Sequence, residues 1–212
     1  MDLSEKKSKL EAISIEIEKC GKCRLCEQAT NAVPGDGNPD AEIAFIGEAP
    51  GFYEDQQGLP FVGRAGKLLE FMLGQIGLDR KDAWIGNIIK HRPPDNRDPL
   101  PDEIAACQPY LTGQLEILSP KLIVTLGRFA MNYFVPSAKI SRDHGRVFEL
   151  SNYLVYPIYH PAAGLRNPKL KAETIKDFLK IPEILKGNYL EPEKVIIKNE
   201  TKKHGQEQDK LL

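Results

Sequence analysis

Ile43-Ala44-Phe45-Ile46-Gly47-Glu48-Ala49-Pro50-Gly51 is an apolar run that stops at a glycine, presents one carboxylate and turns on Pro50-Gly51. Such a run bounded by turn formers predicts a buried strand. A second segment repeats the layout: Tyr153 to Ile158, then His160-Pro161-Ala162-Ala163-Gly164-Leu165-Arg166. A strand ending in a Gly/Pro turn holds a carboxylate or an imidazole rigidly at the carboxyl edge of a sheet. Open α/β sheets place their active sites at that edge. Glu48 and His160 are therefore the first candidate site residues.

The rest of the chain alternates. Asp2 to Lys19 suits an amphipathic helix through Leu10, Ile13 and Ile17, and Arg64 to Gly77 one through Leu68, Leu69, Met72, Leu73 and Ile76. Ala83 to Ile89 reads as a second strand, followed by the Pro-rich loop His91 to Pro101. A helix from Asp102 to Leu118, a third strand from Leu122 to Leu126 and a short helix from Arg128 to Phe134 follow. Arg146 to Ile158 suits a strand or hairpin, and Lys169 to Leu185 a last helix that Pro182 can break. This alternation predicts a three-layer α/β/α domain with a central, mainly parallel four-stranded sheet and helices on both faces. The domain is expected over residues 1–186. From Gly187 the pattern fades; residues 187–212 are rich in Lys, Glu and Gln, with only Val195-Ile196-Ile197 apolar, and are expected to be a mobile charged tail.

A chain of 212 residues can bury one sizeable core. No run approaches the ~20 apolar residues that span a bilayer, and Met1 to Leu10 is polar, so no membrane association and a cytoplasmic location are expected. A net charge of −1 excludes a polycation. Basic residues nevertheless gather as Lys90-His91-Arg92 with Arg97, as Arg142 with Arg146, and as Arg166 with Lys169 and Lys171. Phosphate affinity depends on the contacts made, so local patches suffice. Three of the four cysteines, Cys20, Cys23 and Cys26, fall within seven residues, with Cys107 apart. In a cytosolic chain this clustering points to metal or cluster ligation.

The Glu48 and His160 segments resemble motifs one and three of the uracil-DNA glycosylase superfamily. The run Phe52-Tyr53-Glu54-Asp55-Gln56-Gln57-Gly58-Leu59-Pro60-Phe61-Val62-Gly63-Arg64-Ala65-Gly66 narrows the likeness to family 4, the iron–sulfur branch, over roughly residues 17–186. The resemblance implies a DNA repair enzyme that hydrolyses the N-glycosidic bond of uracil in single- and double-stranded DNA and leaves an abasic site. It makes Glu48 the carboxylate that orients or activates water and His160 a neutral donor to uracil O2. It makes Gly47 part of the base pocket, Phe61 the stacking ring and Asn87 the reader of the uracil edge, since one amide both donates and accepts. Asn96 becomes a second candidate for holding the water. Leu165 would fill the gap left by the extruded base, and Arg166 and Arg64 would meet phosphates. Ala49 departs from the superfamily's best-known branch, which has Asp there. The expected partner is uracil-containing DNA, bound by a monomer.

The family also implies a 4Fe–4S cluster held by four cysteines. Cys20, Cys23 and Cys107 match three of them, but the remaining position, in Lys90-His91-Arg92-Pro93-Pro94, is a histidine. Either His91 binds iron through a ring nitrogen, as in Rieske centres, or Cys26 supplies the thiolate, or the cysteines are only packed; the first is favoured. The rival readings are a damage sensor with weak turnover, a redox protein built on the cysteines, and a glycosylase for another deaminated base such as hypoxanthine.

Overall fold

The structure, a computed structural model, describes residues 1–150, 152–189 and 192–194. Helix α1 (Leu3–Glu18) opens on Asp2, whose Oδ1 accepts the Glu5 N–H at 2.9 Å, satisfying one free amide of the first turn. A two-residue strand β1 (Asp36–Gly37) precedes β2 (Ile43–Gly47), every residue of which is buried. Helices α2 (Phe52–Gln57) and α3 (Arg64–Gln75) lead to β3 (Trp84–Asn87). After α4 (Pro101–Leu118) come β4 (Leu122–Leu126), α5 (Arg128–Phe134) and α6 (Ile140–Asp143). The hairpin strands β5 (Phe148–Leu150) and β6 (Tyr153–Ile158) are followed by α7 (Pro161–Arg166), α8 (Pro168–Phe178), α9 (Ile181–Leu185) and the short β7 (Glu193–Lys194).

The four expected strands form the parallel centre, in the order β3-β2-β4-β6. Among the described residues the sheet has seven strands rather than four, because short edges extend it. β1 pairs antiparallel with β3, β5 antiparallel with β6, and β7 lies parallel to β5. The fold is thus an open mixed sheet in three layers. Alternation along β2 divides its side chains between two cores. Ala44 and Ile46 join Leu10, Leu111 and Leu115 on the α1/α4 face, while Ile43 and Phe45 join Leu69, Met72 and Phe178 on the α3/α8 face.

The expected single C-terminal helix is two, α8 and α9, with Pro182 in the first turn of α9, where its missing N–H costs least. Residues 190–191 and 195–212, most of the expected tail, lie outside the described residues. No helix among the described residues is long and apolar enough to cross a membrane. The chain runs from β2 out to β3 on one side, then back through α4 to β4 on the other. The carboxyl ends of β2, β3 and β6 therefore converge beside a topological switch point, where such sheets form a crevice.

Candidate active site

That crevice is a cavity of about 330 Å³, lined by Glu48, Phe61, Asn87, Asn96, His160 and Arg166 among others. Six residues singled out from sequence, drawn from positions 118 apart at their extremes, thus share one wall. Gly47 lies beneath them. A Cβ there would meet Asn87 Oδ1 at 2.5 Å and the Phe61 ring at 2.7 Å, so only glycine lets amide and ring converge at the strand end.

Phe61 is held in a strained posture. Its φ of 53° is left-handed, unusual for a bulky residue. Gly66, one turn into α3, has its backbone against Phe61; a Cβ would sit 1.8 Å from the Phe61 carbonyl oxygen. Arg80 clamps the same peptide, donating from Nη1 to Phe61 O at 3.1 Å and from Nη2 to Pro60 O. Glu54 Oε1 accepts the Val62 and Gly63 N–H groups at 3.0 and 2.9 Å, tying α2 to the start of α3. A carboxylate of the chain therefore takes the two backbone amides that lead into α3. The Phe61 and His160 rings lie 5.7 Å apart and 29° from parallel, facing the same space.

Asn87 ends β3 and is buried, and its Oδ1 has no hydrogen-bond partner among the described residues. A buried amide oxygen without a donor carries a desolvation cost of about 1–3 kcal/mol, which a ligand N–H would relieve. The backbone of Asn87 is anchored from behind. Buried Lys90 Nζ donates to Asn87 O at 2.9 Å, to Pro34 O at 3.1 Å and to Gln114 Oε1 at 2.8 Å. Burial pushes this ammonium down to about 8.

His160 caps α7. Its Nδ1 accepts the Ala162 N–H at 3.1 Å, so the neutral ring carries its proton on Nε2. Burial, with the Arg166 guanidinium nearby, lowers its pKa to about 4, and the ring is neutral at physiological pH. Gly127, at φ 92°, lets β4 end directly against this ring; a Cβ there would lie 2.9 Å from His160 Cβ. Across the cavity the half-buried Glu48 carboxylate makes no hydrogen bond or ion pair among the described residues. Burial raises its pKa to about 7, the Asp98 carboxylate adds to the rise, and Arg128 opposes it.

Asn96 stands in a left-handed turn with Asp95, both at φ 52°. Its Oδ1 accepts from Arg92 Nε at 2.8 Å, and the residue lines the cavity. The loop is pinned by Arg97, bidentate to buried Glu103 at 2.9 and 2.6 Å. Arg64 and Leu165 line a separate groove next to the cavity.

Around the cysteines, Cys20, Cys23 and Cys107 are near enough to act on one another electrostatically, and none forms a disulfide. Burial pushes the Cys107 thiol up to about 11, against the Lys90 N–H and ammonium, which favour its thiolate. Cys26 Sγ donates to Cys23 O at 3.1 Å. His91 is buried with no side-chain hydrogen bond among the described residues, and burial lowers its pKa, partly offset by Asp55. Among the described residues no three His, Cys, Asp or Glu side chains stand close enough to hold a single metal ion.

Residues 34–183 match the model of the uracil DNA glycosylase superfamily. The chain belongs to this superfamily. It is 50% identical over 184 residues to a Type-4 uracil-DNA glycosylase of Archaeoglobus fulgidus, covering 82% of this chain and 92% of the relative. A Type-4 uracil-DNA glycosylase of Sulfurisphaera tokodaii is 48% identical, with 82% and 84% covered. One from Thermotoga maritima is 42% identical, with 84% and 95% covered. Within this superfamily fold, Glu54, Arg80 and Gly127 are supporting residues that the sequence reading missed, and Lys90, expected in a basic cluster for phosphate, is instead buried behind Asn87. Only Gly66, inside the quoted run, hinted at the close backbone approach that Arg80 completes.

Proposed function

We propose that this chain is a monofunctional uracil-DNA glycosylase that initiates base excision repair, acting as a cytoplasmic monomer on single- and double-stranded DNA. The observation that carries the reading is the buried Asn87 Oδ1, without a hydrogen-bond partner among the described residues, at a cavity that also holds Phe61, His160 and Glu48. An extruded uracil stacks on Phe61, its N3–H donates to Asn87 Oδ1, and its O4 accepts from Asn87 Nδ2. Cytosine presents an acceptor at N3 and is refused.

Chemistry then follows from charge. As the C1′–N1 bond breaks, its electron pair moves onto uracil, largely to O2, and the sugar becomes oxocarbenium-like. His160 donates from Nε2–H to O2, an arrangement that needs no reorganisation because Ala162 already holds Nδ1. Ionised Glu48 stabilises the sugar cation and orients water toward C1′, with the Asn96 amide as second holder. Water adds to C1′, its proton passes to Glu48, and the uracil anion leaves to be protonated by solvent. Among the described residues no lysine lines the cavity, so no Schiff base forms and the strand is not cut.

Cys20, Cys23 and Cys107, with His91 as the fourth ligand, would hold a 4Fe–4S cluster. The donor chemistry supports this reading: Cys20, Cys23 and Cys107 are free thiols in one another's field, with Cys26 also acting on Cys23, and His91 is a buried imidazole with no side-chain hydrogen bond among the described residues. Cys26 is the alternative ligand, although its thiol is engaged by Cys23 O. Ligands at these positions would tie the segment after α1 to α4 and to the β3–α4 loop when the cluster is bound. The test of the function is product analysis. Uracil-containing oligonucleotides should yield free uracil and alkali-labile sites with strands otherwise intact; a borohydride-trapped protein–DNA adduct, or intact uracil sites, would overturn it.

A further inference from the structure

Beside the uracil cavity lies a groove of about 340 Å³, lined by Arg64, Lys67, Leu68, Phe71, Leu165 and Lys171. Arg64, Lys67 and Phe71 share one face of α3 by their three- and four-residue spacing. Leu165 comes from α7 and Lys171 from α8. Gly164 lets these helices close up, since a Cβ there would lie 3.2 Å from Lys171 Cα.

Two features of this groove are unusual. Phe71 and Leu165, large apolar side chains, are 52% and 38% exposed. The three cations beside them make no side-chain hydrogen bond or ion pair among the described residues, and no carboxylate lines the groove. Basic residues elsewhere are commonly paired, as Arg24 with Asp102, Arg97 with Glu103, Lys121 with Glu42 and Arg128 with Asp98. On a chain of net charge −1 this is a local concentration of uncompensated positive charge. It adjoins the uracil cavity, which Ala65 and Arg166, next in sequence to Arg64 and Leu165, line.

We propose that this groove is a DNA track. It takes the strand flanking the extruded nucleotide, its phosphates on Arg64, Lys67 and Lys171 and one sugar or base face on Phe71. The proposal rests on the glycosylase reading for the direction of the strand, and on charge, exposure and adjacency for the groove itself. Lys67, Phe71 and Lys171 are the new members; they fix position on DNA and touch no reacting atom.

Fluorescence anisotropy against NaCl concentration, with a uracil-free duplex and a uracil-free single strand, tests it. Lys67→Gln and Lys171→Gln should each flatten the slope of log affinity against log salt by about 0.9 on duplex, and the pair by about 1.8. Lys67→Arg and Lys171→Arg should keep the wild-type slope. Phe71→Ala should weaken single-strand binding about 5- to 150-fold. Single-turnover uracil release at saturating enzyme should stay at the wild-type rate in all of them. An unchanged salt slope in the double glutamine variant would overturn the track, whatever the enzyme's activity. If wild type releases no uracil yet the slopes change as stated, the track stands and the glycosylase reading fails.

Discussion

Glu48→Gln should make the protein more stable at neutral pH while removing most of its turnover. The native carboxyl is raised from 4.5 to about 7, first by burial and then by Asp98, whereas in the unfolded chain it ionises near its ordinary value. Between those two pH values the unfolded state gives up a proton that the native state retains, so stability falls as pH rises through this window. Below it both states are protonated; above about 7 the whole cost is present. At about 1.4 kcal/mol per pH unit, discounted because the carboxylate is half-exposed, the cost is on the order of 2 kcal/mol. Glutamine carries no charge and escapes it. Thermal unfolding should therefore give near-equal Tm values for the two proteins at pH 4.5 and a variant higher by roughly 4–8 °C at pH 8. The same carboxylate predicts that wild-type kcat/KM rises between pH 6 and 8 with a midpoint near 7, since only the ionised form holds water for attack. A variant that gains no stability on going from pH 4.5 to 8 would refute the claim that Glu48 is held against its ionisation.

Three further outcomes follow from the geometry. Arg80→Ala removes both bonds to the Phe61 and Pro60 carbonyls and should raise KM for uracil-DNA about tenfold, on the order of one stacking contact, with kcat less affected; equal loss in kcat would mean the clamp acts on chemistry instead. Asn87→Asp should release cytosine slowly, best at mispairs that are cheap to open, and failure to release any cytosine at any pH would remove Asn87 as the reader. Protein prepared anaerobically should be brown, with His91→Cys retaining iron at a lower potential, His91→Ala losing iron and Cys26→Ala keeping it; the reverse behaviour of the last two would assign the ligand to Cys26.

Much of the arrangement was legible because it is local. The buried runs before Glu48 and His160 and the spaced apolar residues of α1, α3 and α4 carry their own periodicity. The residues that line the cavity come from segments that announce themselves by Gly and Pro. What stayed hidden is non-local or too short for a period. The two-residue strands β1 and β7 have no alternation to read, and α2 and α7 are six residues each. Arg80 lies 19 residues from the carbonyl it holds, and Lys90 reaches Pro34 across 56. Glu54 looks like a surface acid until the fold brings it to the Val62 and Gly63 amides. Whether His91 or Cys26 completes the cysteine set turns on donor positions, and the spacing of the cysteines leaves it undecided.

The proposed mechanism has this cavity break the glycosidic bond of uracil through a neutral His160 whose tautomer is fixed by the Ala162 amide. Its most direct test is the single-turnover rate of uracil release by His160→Ala, measured at saturating enzyme alongside the affinity for uracil-containing DNA. That mechanism requires a rate lower by about 10²–10³ with affinity close to wild type; a rate near wild type would refute it.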